Sequence, residues 1–297
     1  GDTVSACSVR EGLRPQRECV IMDNLKKTYT VFDAQGRRVP FKGMRVFSEV
    51  SLWYYKLKQP QDSFEDILSR SRKHAGVDPA VTAESFESVC MALKRQVADE
   101  PSLNGLLAGV HVPFICPKAT GESDLGTQLE QFILPSVGAS FKAAFPDLHF
   151  KATLEGSSKL SGELSVAGGS RYERFLETHR KGTIAGWYFP QALQEYDIDS
   201  QRAQMGSLPF PDNLVLSGGA DTGAALVGSP SLLVNEENYP PVLCLSALKH
   251  ADERLMLCLK AYGHHLEFWC MSQMLTPELT QVSEQWSGGL TLFAPIG

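Results

Sequence analysis

Three absences narrow this sequence before any motif in it is weighed. No apolar run approaches the roughly 20 residues that an α-helix needs to cross a bilayer, so no membrane-spanning helix and no membrane partner is expected. Positive charge is not in surplus: 28 Lys and Arg stand against 34 Asp and Glu, for a net charge of -6. A duplex-binding protein needs an excess of cations to displace phosphate counterions, so nucleic acid is not an expected partner either. The basic run Ser69–His74 is better explained as a solvated helix end that complements the helix dipole. Cysteine is present but unpatterned. Cys7, Cys19, Cys90, Cys116, Cys244, Cys258 and Cys270 contain no Cys-x-x-Cys pair, and most sit in apolar runs. Buried free thiols in a reducing cytoplasm are expected, with a Cys7–Cys19 bridge as the one exception to check. The chain opens on Gly1-Asp2 rather than methionine, which reads as a trimmed N terminus and leaves a removed signal peptide open.

What remains is ordinary globular composition, 43% hydrophobic and 21% charged over 297 residues. Alternation on either side of Asp33–Gly36 predicts a β-hairpin over Lys27–Phe41. Val46, Val50, Trp53 and Leu57 fit a helical stripe. Asp62 or Ser63 should cap a helix that Gly76 ends, and Thr82 should begin another with Phe86, Val89, Leu93 and Val97 on one face. Gly109–Pro117 reads as a buried strand. A further helix starts near Asp124, with Leu125, Leu129, Phe132 and Ile133 inward and a kink or break at Pro135.

Near Pro146 the texture changes to alternation. A second hairpin is expected around Gly156–Ser158, and Ser170-x-x-Glu173 is a capping box for a helix ending at Gly182. Gly186–Pro190 and Ser207–Asn213 read as proline-broken connections. Three apolar runs, VLCLSAL, RLMLCLKAY and HLEFWCM, predict an antiparallel meander, with Gly263-His264 as its second turn. The expectation is an α+β protein with a helix-rich half over 1–146 and an antiparallel half over 147–297, as two units or one continuous domain.

One stretch invites chemistry, LSGGADTGAALVGSP from Leu216 to Pro230. Its ADTGAA segment resembles the active-site turn of aspartic proteases over Ala220–Ala225. That chemistry needs two carboxylates sharing a proton. The sequence has no second Asp-Thr-Gly or Asp-Ser-Gly, and Gly218 and Gly219 stand where bulky apolar residues would precede the aspartate. Gly218 and Gly223 have P-loop spacing, but Ala224 and Ala225 occupy the lysine and hydroxyl positions. Ser246-x-x-Lys249 matches the serine–lysine motif of penicillin-binding proteins, on a strand where residues three apart face opposite ways. The simplest account is a strand, a tight turn with at least one glycine at positive φ, and a helix capped by Asp221.

Elsewhere, His265 and Glu267 share a strand face but have only His250 as a candidate third zinc ligand, so no metal site is expected. Glu195, Asp197 and Asp199 read as a solvated acidic edge. No cofactor motif is complete, and no cofactor is expected.

Two functions from different classes follow. The first is a globular binding protein for a protein or small-molecule partner, with Gly218, Gly219, Asp221, Thr222 and Gly223 as candidate ligand-binding residues. The second is a hydrolase-type enzyme with its site at the Gly218–Gly228 loop, using Asp221 with His265 and Glu267.

Overall fold

Local capping chemistry sets the first helices. The computed structural model describes residues 31–154, 160–209, 211–262 and 265–297. The Ser63 hydroxyl accepts the Asp66 N–H to open α1 (Phe64–Ala75), and Gly76 closes it in the left-handed conformation. Thr82 caps α2 (Ala83–Ala98), which buries Phe86, Cys90, Leu93 and Val97. Strand β1 (Val112–Cys116) follows. Asp124 then caps a long helical stretch: α3 (Leu125–Gln128), a π-turn (Leu129–Ile133) and α4 (Leu134–Ala144). The π-turn has a local cause, because Pro135 has no N–H to offer the Gln131 carbonyl. The wider turn leaves Phe132 43% exposed rather than inward.

The chain continues through β2 (Phe150–Leu154), β3 (Leu164–Val166), α5 (Tyr172–Lys181), β4 (Ile184–Gln194), α6 (Ile198–Ala203), β5 (Leu214–Leu216) and α7 (Gly219–Gly228). The remaining strands are β6 (Val242–Cys244), β7 (Leu248–His250), β8 (Leu255–Tyr262), β9 (His265–Ser272), β10 (Met274–Thr276), β11 (Leu279–Thr280) and β12 (Trp286–Pro295). The main sheet runs β1-β4-β12-β6-β8-β9-β2, with β5 also on β12. Its pairs are antiparallel except β12–β6 and β2–β9, and β6, β8 and β9 form the meander. The fold is α+β.

Tertiary context overrode local signals at four places. Residues 45–57 form no helix; they run as an irregular segment with isolated bridges at Val46 and Tyr55. Their carbonyls are claimed from outside: Arg37 donates to those of Ser48 and Glu49, and Val46 bridges Tyr196. Gly186–Pro190, read as a connection, lies inside β4, whose eleven residues are all buried. Gly186 is needed there, since a Cβ would stand 2.3 Å from the Leu292 carbonyl. Pro190 is tolerated because the β4–β12 register shifts beside it, between Gly288 and Leu290. The arms of the expected second hairpin do not pair with each other, since β2 joins β9 and β3 joins β7. Finally, Glu195 and Asp197 are buried, not solvated. Glu195 accepts from the Ser48 and Ser51 hydroxyls, while Asp197 caps α6 and pairs with Arg45 at 3.2 Å.

The first hairpin is formed in its described part, with Phe32 bridging Arg38 and Gly36 at φ 81. Cys7, Cys19 and the turns at Gly156–Ser158 and Gly263-His264 lie outside the described residues.

Candidate functional site

Helix α7 organises the centre of the molecule, and all ten of its residues are buried. A helix apolar on every side suits such a place, and Asp221 is its one ionisable residue. Asp221 sits in the first turn, where its carboxylate accepts the Gly218 N–H at 3.0 Å and so caps the helix from within. It also accepts from the Tyr172 hydroxyl at 2.8 Å and from the Thr291 hydroxyl at 2.6 Å. Burial outweighs these bonds and lifts its pKa from 3.8 to about 6.

The glycines of this stretch do not serve a positive φ. Gly218 is extended, and Gly219 and Gly223 are helical. They serve close packing instead: a Cβ on Gly218 would lie 2.2 Å from the Tyr172 ring, and one on Gly223 would lie 2.4 Å from Ile133 Cγ2.

The structure does not bring Asp221, His265 and Glu267 together. Asp221 lies against β12, and β9 is three strands away, roughly 14 Å at normal strand spacing. The His265 ring stacks on His149 at 3.6 Å, its Nδ1 accepting the His149 N–H. Glu267 accepts from Trp269 Nε1 at 2.6 Å. His250 is on β7, with its Nδ1 accepting the Asp252 N–H. Among the described residues no three His, Cys, Asp or Glu side chains converge as a metal site would require.

A cleft of about 430 Å³ opens along one face of α7. Ala220, Gly223, Ala224 and Val227 form its floor, at the i, i+3, i+4, i+7 spacing of a single helical face. Asp221 and Thr222 point elsewhere, so Gly223 alone of the candidate ligand-binding residues lines the cleft. The walls are the π-turn residues Gln131, Phe132 and Ile133, the C-terminal end of α1 at His74–Gly76, and the segment Cys116–Thr120 that leaves β1. A π-turn beside a cavity is a common arrangement at functional sites.

His179 of α5 closes one end. Its ring donates to the Pro117 carbonyl and its own carbonyl accepts the Ala119 N–H, which fixes that segment. Burial lowers the imidazole pKa to about 4, so the ring is neutral at physiological pH. Cys116 is no nucleophile here. Burial and the nearby Asp221 push its thiol well up, and its S–H is directed at the Ala220 carbonyl rather than at an imidazole. The His179 imidazole and the Cys116 thiol are neutral, and burial and then Lys73 lower the pKa of His74, which leaves Lys118 as the one permanent charge among the described lining residues.

No family model, no curated protein and no solved structure matches this chain. The sequence carried one legible trace of the cleft, the run of small residues along one face of α7. The residues facing it come from four separate segments and left no joint signature.

Proposed function

We propose that the protein binds a small, largely apolar organic molecule with one anionic end, without turning it over. The carrying observation is the cleft over α7. Its volume falls in the range that encloses small ligands, its floor is made of alanine, glycine and valine, and its polar groups are few and sit to the sides. Gln128, Gln131 and neutral His179 offer hydrogen bonds, and Lys118 offers a single cation for a carboxylate. Catalysis by the Asp221, His265 and Glu267 set is not supported, because those groups stand in separate environments. The buried cysteines Cys90, Cys116, Cys244 and Cys258, none of them in a disulfide, favour a reducing compartment, which we take to be the cytoplasm.

The test is decanoate binding by calorimetry. The parent protein should bind it, and Ala224→Leu, which fills the floor, should weaken binding about tenfold or more. Decanol, which keeps the chain and loses the charge, should bind less tightly than decanoate. Equal decanoate affinity in a folded Ala224→Leu protein would remove the cleft from consideration.

A further inference from the structure

A second hollow, of about 530 Å³, is built from different chemistry. The Tyr55 and Tyr239 rings form its wall, and Glu236 and Glu237 stand at its rim. Tyr54 completes an aromatic group, with ring centroids 5.1 Å from Tyr55 and 5.7 Å from Tyr239. This group is fixed by backbone as well as by ring contact. Tyr55 bridges Tyr239 in parallel pairing, and the Lys56 N–H donates to the Tyr239 carbonyl at 2.9 Å. Just before it, Trp53 is held at φ 54, a conformation that bulky residues adopt only where the surrounding structure enforces it. Yet Tyr54 and Tyr239 are 54% and 65% exposed. Rings held this firmly and left open to solvent form a ready contact surface.

The charge carried by the described lining residues has one sign, from Glu236 and Glu237. No Lys, Arg or His is among the described residues that line the hollow. Burial, and after it the carboxylate of Glu284, raise the Tyr55 phenol above its ordinary value. One ammonium group is already drawn to the rim: Lys58 Nζ lies 3.8 Å from Glu237, in a loose pair with both side chains mostly exposed. Aromatic faces attract cations through the ring quadrupole, and carboxylates add Coulomb attraction. An alkylated ammonium ion is also apolar over most of its surface, which suits a wall of tyrosine rings.

We propose that this hollow binds an organic ammonium ion, with Tyr55 and Tyr239 as its aromatic walls and Glu236 and Glu237 as its counter-charges. The site is distinct from the cleft over α7, and it stands or falls independently of ligand binding there.

Choline is the probe, compared with its neutral carbon isostere, in which a tert-butyl group replaces the trimethylammonium. Titration is followed by calorimetry and by the nuclear magnetic resonance signals of the tyrosine rings. Choline should bind about tenfold more tightly than the isostere, and the Tyr55 and Tyr239 signals should shift. Tyr239→Leu should remove most of that preference, whereas Tyr239→Phe, which keeps the ring, should retain it. Combined Glu236→Gln and Glu237→Gln should weaken choline several-fold and flatten its dependence on salt. A trimethyl-lysine peptide that binds more tightly than choline at the same rings would support the site and assign its ligand to a polypeptide. Equal binding of choline and the isostere would overturn the proposal. So would unshifted tyrosine signals at high choline, or loss of binding in a folded Tyr239→Phe protein.

Discussion

The Asp221 carboxylate accepts a hydrogen bond from the Thr291 hydroxyl at 2.6 Å, tying the first turn of α7 to the middle of β12 across 70 residues of chain. Thr291 in turn lies 2.7 Å from the Ser217 hydroxyl, and Tyr172 bonds the other carboxylate oxygen. This buried cluster pins the central helix to the sheet, and it titrates.

Asp221 has a folded-state pKa near 6 against 3.8 for the free group. Between these values the native state holds the proton more firmly than the unfolded chain does. The stabilisation is therefore complete below about pH 4 and is lost as pH rises through about 6, on the order of 3 kcal/mol in all. Asp221→Asn mimics the protonated acid, with its amide able to donate to Thr291. It should abolish this slope and be at least as stable as the parent at neutral pH. Asp221→Ala strands the donors of Tyr172 and Gly218 and should cost about 2–4 kcal/mol. Denaturant unfolding across a pH series measures all three, and a slope that persists in the asparagine variant would assign the titration to another group.

Gly218→Ala and Gly182→Ala should differ sharply. The new methyl at Gly218 meets the Tyr172 ring, while nothing lies within 4 Å of one at Gly182, whose φ of 176 suits any residue. Thermal melts should show a loss of about 1–3 kcal/mol or more for the first and about 0.5 kcal/mol or less for the second. Equal melting temperatures would mean that α7 is less tightly held than the structure shows.

Arg37 is fully buried, and its guanidinium donates to the carbonyls of Gln194, Ser48 and Glu49. Arg37→Ala leaves those three carbonyls to find other partners and should cost about 2–4 kcal/mol. Arg37→Lys should recover little, because one ammonium cannot span the fork. Hydrogen exchange should quicken over residues 44–51 in both variants. Unchanged exchange there would show that this segment is held by other contacts.

Cys90, Cys116, Cys244, Cys258 and Cys270 are buried cysteines, and burial raises the pKa of the first four, that of Cys244 to about 12. A small thiol reagent mapped by mass spectrometry should leave all five unlabelled in the native protein and label them in denaturant. Rapid native labelling of Cys116 would reveal a thiol activated within the cleft.

The sequence by itself determined what depends on neighbours in the chain. Ser63, Thr82 and Asp124 cap their helices through bonds that reach three residues ahead, and Gly76 ends one through its own φ, so each boundary could be read locally. The same holds for β8 and β9, whose apolar runs and two-residue connection specify antiparallel pairing, whereas the run expected as one strand before them divides into β6 and β7, which join different sheets. Tertiary structure alone decided the rest. Strand β4 is buried on both faces and so shows no alternation, and its Gly186 and Pro190 look like breakers until β12 is seen to accommodate them. Residues 45–57 form no helix because Arg37, outside the segment, and Tyr196, distant in sequence, claim their backbone. At α7, glycines that suggested a turn proved to be spaces for Tyr172 and Ile133, and the aspartate that suggested chemistry proved to be bonded to Thr291. The cleft and the tyrosine hollow are juxtapositions of distant segments. Local sequence fixes which groups are available, but burial and distance between them exist only once the chain has packed.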